Sequence, residues 1–146
     1  MPRAATEQRL PSLYEATRRS LRAELKELPS VWLYDERGSA LYEKITRLPE
    51  YYLPRREAEI LRERAAAIAA RVQARTLVEL GAGTANNIRL LLDAFDTVEL
   101  FVPLDVSEQT LQANAQAIAA AYPRLFVHAI VGDFERDLDE IGRAHV

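Results

Sequence analysis

The sequence predicts an α/β protein in which a helical N-terminal arm leads into the first three strands of a Rossmann-like parallel sheet. Three observations predict it. A helical apolar stripe runs through residues 55–72. Short apolar runs of strand length follow at 76–80, 98–104 and 125–131. Helix-patterned segments separate those runs at the spacing of βαβ crossovers, which place successive strands parallel in one sheet. The arm is assigned to residues 1–73 and the core to 74–140.

Each element has a local reason. The first ten residues are polar and are expected to fray. Ser12 and Glu15 have the spacing of a capping box, and Leu13, Leu21, Leu25 and Leu28 then share one helical face that ends before Pro29. The aromatic stretch VWLYDERGSALYEKITRLPEYYLP is broken by Gly38, Pro49 and Pro54, so it reads as loop, short helix from Ser39, loop. In the long helix Ala58, Leu61, Ala65, Ile68 and Val72 form the stripe. Thr76–Leu80 is the first strand. Residues 86–95 form a helix. The second strand covers 98–104, although Pro103 counts against full pairing there. Ser107 is placed to cap a helix reaching about Ala121, and 125–131 is the third strand.

Composition narrows the function classes. The chain has 146 residues, 49% of them apolar, enough for one domain with a core. A net charge of −3 gives no general attraction to nucleic acid or to an anionic membrane. With no cysteine there is no disulfide, thiolate nucleophile or cysteine metal site. MPRAATEQRLPSLYE has no apolar centre for a leader, and no later run is long enough to span a bilayer. The expected setting is the cytoplasm, without a nucleic-acid, membrane or metal partner. His128 reads as a strand residue, and the arginine pairs at 18–19 and 55–56 read as solvated helix faces.

The chemistry-bearing residues fall at the strand ends, where open α/β sheets bind ligands. Gly81 and Gly83 follow the first strand directly, in VELGAGT. Glycine permits a tight turn and close approach of a ligand to the backbone, and the helix behind offers free N–H groups. A plain βα turn would also use glycine. A dinucleotide fingerprint requires a third glycine where Asn86 stands, which argues against a nicotinamide enzyme. Glu79 just before the turn makes the segment resemble the first motif of S-adenosylmethionine-dependent methyltransferases. Asp105 closes the second strand in VPLDVS, where two acceptor oxygens suit a ribose diol; a helix-start aspartate is the other reading. Asp133 and Phe134, in VGDFERDL, follow the third strand, where an acceptor beside an aromatic ring suits adenine; a polar turn with a core phenylalanine is the alternative.

WLYDERGSALYEKITRLPEYYLPRREAEIL, TLVELGAGT, VPLDVS and VGDFERDL together resemble the histidine-specific Nα-methyltransferases of ergothioneine biosynthesis. Related members methylate other amino-acid amines, including tryptophan derivatives. The resemblance covers residues 28–138, and ITRLPEYYLPRREAEIL is its most specific part. It implies that Gly81 lines the S-adenosylmethionine site, that Asp105 holds the ribose, and that Asp133 and Phe134 hold the adenine. It implies that Tyr51 binds an amino-acid substrate, with Tyr34 near the same pocket. A tyrosine offers a rigid face and a hydrogen-bonding tip to a small zwitterion, while packing of the arm is the competing role for Tyr51 and Tyr52. Asn87 stands where the resemblance implies a cofactor-contacting lysine.

The implied reaction is displacement at the methyl carbon of a sulfonium by an amine, for which orientation is the main task. The resemblance implies further strands and most of the substrate pocket beyond residue 140, so this chain is expected to be an inactive fragment with weak cofactor affinity and an unpaired edge on the first strand. IGRAHV, residues 141–146, is one frame of a common sequencing adapter followed by a stop codon, and is read as a non-native tail. The alternative is a non-catalytic nucleotide-binding or interaction module complete at this length.

Overall fold

A computed structural model describes residues 12–83 and 87–143, excepting the side chain of Arg143. The expectations for the first ten residues, for a helix start at Asn86 and for the end of the tail lie outside the described residues. The chain divides into two compact units, one ending at Leu33 and one beginning at Tyr34.

In the first unit, α1 spans Leu13–Arg22, followed by a short 3-10 turn over Ser30–Leu33. The capping box forms as the sequence predicts. Glu15 N–H donates to Ser12 Oγ at 3.2 Å, and Ser12 N–H donates to Glu15 Oε2 at 3.0 Å. The helix does not continue toward Pro29. Ala23 leaves helical geometry with ψ 154. Leu25 and Leu28 are 77% and 47% exposed, so no burial supports two further turns, and propensity alone rarely holds them in water.

The second unit starts with α2, Glu36–Ile45, three residues earlier than expected. Asp35 is the cause: its Oδ1 accepts from Gly38 N–H at 2.7 Å and caps the helix, so Gly38 sits in the first turn. α3 spans Leu53–Val72 and takes Pro54 into its first turn, where a missing N–H costs nothing. It ends at Gln73 in the left-handed conformation. Its buried residues are Ala58 and Ala65; Ile68 and Val72 are exposed and fall off the stripe.

β1 (Thr76–Leu80), β2 (Leu100–Asp105), β3 (Phe126–Val127) and β4 (Ile130–Val131) form the parallel sheet. α4 (Ile88–Leu92) crosses from β1 to β2, and α5 (Glu108–Ala121) from β2 to β3. β2 is central, paired with β1 on one side and with β3 and β4 on the other. Among the described residues β1 pairs with β2 alone. The third strand is split, and Pro103 explains the split. Phe126, His128 and Gly132 donate to the carbonyls of Glu99, Phe101 and Asp105. Position 103 belongs to this alternation, and as proline it has no N–H to return to the neighbouring strand.

Side chains of β2 alternate between two cores. Phe101 packs with Ile88, Leu92 and Ile118 under α4 and α5. Val102 and Leu104 pack on the other face with Ile130, flanked by Leu100 and by Ile141 of α6 (Asp139–Arg143). Phe101, Val102 and Leu104 have no exposed surface, so the strand that ends in Asp105 is the most firmly anchored part of the sheet.

Candidate functional site

The anchored end of β2 organises the glycine turn. Gly81 N–H and Ala82 N–H both donate to Leu104 carbonyl, at 2.8 and 3.1 Å. Gly81 (φ 74) and Gly83 (φ 42) lie in the left-handed region, where a side chain would be strained. Gly83 N–H donates to Asp105 Oδ2 at 2.9 Å, and Ser107 N–H donates to Asp105 Oδ1 at 2.8 Å. Each carboxylate oxygen keeps a further lone pair. The Ser107 hydroxyl does not cap α5, against expectation; it bonds to Thr110 Oγ1 at 2.9 Å, and Asp105 does the turn-holding. Asn114 of α5 donates to Gly83 carbonyl at 3.3 Å, a contact the sequence reading missed.

Glu79 lies beneath this turn. Its Oε2 is buried without a hydrogen-bond partner among the described residues. Burial first, then the charges of Glu57 and Asp105, push its carboxyl up to about 7. Glu57, on α3, was also missed. Its Oε2 accepts from Asn87 Nδ2 at 2.8 Å, and the same amide approaches Pro54 carbonyl at 3.3 Å. Asn87 therefore precedes α4 without capping it and ties α3 to the start of α4.

The third strand end contributes Phe134. A Cβ on Gly81 would lie 3.9 Å from the Phe134 ring, so ring and glycine turn are neighbours across the sheet end. The ring is 44% exposed, not a core phenylalanine. Asp133 is turned to its own loop. Its Oδ1 accepts from Glu135 N–H at 3.0 Å, and Oδ2 lies 3.8 Å from Arg136 Nε. Its N–H donates to Asp137 Oδ2 at 2.7 Å. Gly132 has room for no side chain, since a Cβ would lie 2.9 Å from Asp137 Oδ2.

The tyrosines gather separately. Tyr42 and Tyr51 meet edge to face, with ring centroids 6.1 Å apart. Hydrogen bonding to Tyr51, burial, and the nearby Tyr51, Tyr34 and Glu57 push the Tyr42 phenol up to about 12. Tyr34 and Tyr51 are thus brought together by Tyr42, which the sequence reading did not single out. Arg55 holds the loop that presents Tyr51. Its guanidinium donates to the carbonyls of Thr46 (3.3 Å), Leu48 (2.9 Å) and Pro49 (2.7 Å). Arg55 is exposed, as a solvated face expects, but its guanidinium is committed to these carbonyls, whereas Arg56 pairs with Glu59 one turn on. Among the described residues no cluster of His, Cys, Asp or Glu is arranged to hold a metal ion, and no helix is long and apolar enough to cross a membrane.

Against this geometry, the sequence profile of the family described as histidine-specific methyltransferase, SAM-dependent, matches residues 13–145. The chain belongs to this family. Within it, the chain is 50% identical over 137 residues to the histidine N-alpha-methyltransferase of Mycolicibacterium smegmatis, covering 89% of this chain and 43% of that protein. It is 50% identical over 121 residues to the enzyme of the same name from Mycobacterium tuberculosis, covering 81% of this chain and 38% of that protein. It is 38% identical over 126 residues to ergothioneine biosynthesis protein 1 of Schizosaccharomyces pombe, covering 80% of this chain and 16% of that protein. The chain thus spans less than half the length of these curated relatives. The matched region contains the glycine turn, Asp105, the Phe134 loop and the tyrosine cluster of this methyltransferase-family chain.

Proposed function

We propose that the protein is the N-terminal part of an S-adenosylmethionine-dependent N-methyltransferase acting on the α-amine of an amino acid, histidine of the ergothioneine pathway. The observation that carries this is the convergence of Gly81, Asp105 and Phe134 at the ends of successive parallel strands, in a chain half identical to histidine N-alpha-methyltransferases. The residues fit the cofactor. Gly81 and Gly83 leave the turn open to close approach, Asp105 has spare acceptor capacity for a diol, and the exposed Phe134 ring is free to lie against a base. Glu79 supplies a carboxyl for a cationic end group, and Asp133 supports the Phe134 loop beside the adenine position. Tyr51 and Tyr34 face the amino-acid side.

When bound, the cofactor supplies a methyl group on an activated sulfonium. The residues of this chain bind and orient; none of the described residues is placed as a base for the amine. The isolated chain is accordingly expected to bind S-adenosylhomocysteine weakly and to leave histidine unmethylated. Calorimetric titration of the chain with S-adenosylhomocysteine tests the reading, with Asp105→Ala and Phe134→Ala for comparison. Both substitutions should weaken binding at least about tenfold, a loss of about 1.4 kcal/mol. Equal binding by all three proteins, or preference for a nicotinamide nucleotide, contradicts it.

A further inference from the structure

Tyr51 is held from two directions, and both lead to Arg55. Its N–H donates to Leu48 carbonyl at 3.2 Å, and that same carbonyl accepts from Arg55 Nη1 at 2.9 Å. Its ring meets Tyr42 edge to face, with centroids 6.1 Å apart. Tyr42 lies in the last turn of α2, and Thr46 N–H closes that turn by donating to Tyr42 carbonyl at 2.9 Å. Arg55 Nη1 also reaches Thr46 carbonyl at 3.3 Å, and Nη2 reaches Pro49 carbonyl at 2.7 Å. One guanidinium therefore grips both the end of the helix that carries Tyr42 and the turn that carries Tyr51. The last carbonyls of a helix lack partners within it and favour a cation. A planar fork of N–H donors serves three carbonyls at once, which a compact ammonium on a flexible stem does not. The base of the clamp is fixed as well. α3 buries Ala58 and Ala65, and Pro54 carbonyl, one residue before Arg55, accepts from Asn87 Nδ2 at the start of α4.

We propose that Arg55 is a positioning residue for Tyr51: by bridging the first turn of α3 to residues 46–49 it sets where the Tyr51 ring stands against Tyr42. The hydrogen bond to Tyr51 that raises the Tyr42 phenol needs the same approach of the two rings. The inference rests on the substrate reading above only for what this placement serves, contact with the amino acid.

The test is proton NMR of the full chain without ligand, following the through-space cross-peak between the Tyr42 and Tyr51 rings. The chain has six tyrosines, so Tyr42→Phe and Tyr51→Phe assign the two signals. The cross-peak should be present in the wild type, lose most of its intensity in Arg55→Ala, and be clearly weakened in Arg55→Lys. Amide spectra verify the fold of each variant, and the lysine variant carries the test where the alanine variant is unfolded. A merely structural arginine would lower stability without moving the rings of the folded chain. Gly132→Ala, a destabilised variant in the third-strand loop, should therefore keep the cross-peak. An absent cross-peak in the wild type, an undiminished one in either folded Arg55 variant, or an equal loss in Gly132→Ala overturns the proposal. Histidine is then titrated in the presence of S-adenosylhomocysteine while the Tyr51 signals are followed. Arg55→Lys should weaken its apparent affinity by about threefold to tenfold, the worth of one hydrogen bond, and by much less in a Tyr51→Phe background. An equal weakening in that background overturns action through Tyr51. If histidine moves no tyrosine signal of the wild type while the ring contact responds as stated, the substrate reading of Tyr51 falls and the positioning role of Arg55 stands.

Discussion

Replacing Glu79 with glutamine should stabilise the chain above neutral pH and do little in acid. The folded state raises the Glu79 carboxyl from 4.5 to about 7, chiefly by burial. Between those values the folded chain keeps a proton that the unfolded chain has released. Stability therefore falls as pH rises through this window, and the loss is complete above about 7. Each tenfold difference in proton affinity is worth about 1.4 kcal/mol. After allowance for partial solvent screening the penalty is about 2–3 kcal/mol at pH 8. The Glu79→Gln side chain has no charge to desolvate, so the stability of that variant lacks this component. Urea unfolding of both proteins at half-unit steps from pH 4 to 8 measures the difference directly, and carboxylates that do not act on Glu79 cancel in it. The difference should grow from near its acid value to about 2–3 kcal/mol higher at pH 8. A difference that stays flat across the range refutes the argument, whatever its size.

Arg55→Ala should cost about 1–2 kcal/mol, because three carbonyls at the end of α2 lose one exposed guanidinium; Arg55→Lys should recover less than half of it, read by thermal melts. Gly132→Ala should cost about 1–3 kcal/mol by driving a Cβ against Asp137, and should weaken S-adenosylhomocysteine binding through the displaced Phe134 loop, read by calorimetry. Asp35→Ala removes the α2 cap and should cost about 1 kcal/mol in urea unfolding, with unchanged stability refuting the cap.

The parts of the fold legible in the sequence were those whose cause is local. Thr76–Leu80 forms a strand with the predicted bounds because it is a short apolar run between a helix end and a glycine turn. The meeting of Gly81, Asp105 and Phe134 at one end of the sheet was readable because the first two directly follow or close a strand and Phe134 lies three residues beyond one. The split of the third strand was hidden because its cause, Pro103, lies on the neighbouring strand rather than within 125–131. Glu57, Asn87 and Tyr42 act through the packing of α2 and α3 beside the sheet, which periodicity alone does not orient. Arg55 read only as part of a solvated helix face, because nothing local says that three carbonyls of a turn six to nine residues earlier will converge on it. Asp35 was a local signal overlooked, hidden by a glycine three residues on, and Pro54, read as a breaker, was another.

Asp105 joins two turns before any ligand arrives, with Gly83 N–H on one oxygen and Ser107 N–H on the other. A carboxylate fixed at both oxygens has little rotational freedom left to lose. Its consequence is kinetic as well as energetic. A diol meeting this group need not wait for it to turn, so encounter should proceed in a single step, without a slow rearrangement of the aspartate. Differences in affinity among analogues altered at that diol should then appear in how fast they leave, not in how fast they arrive.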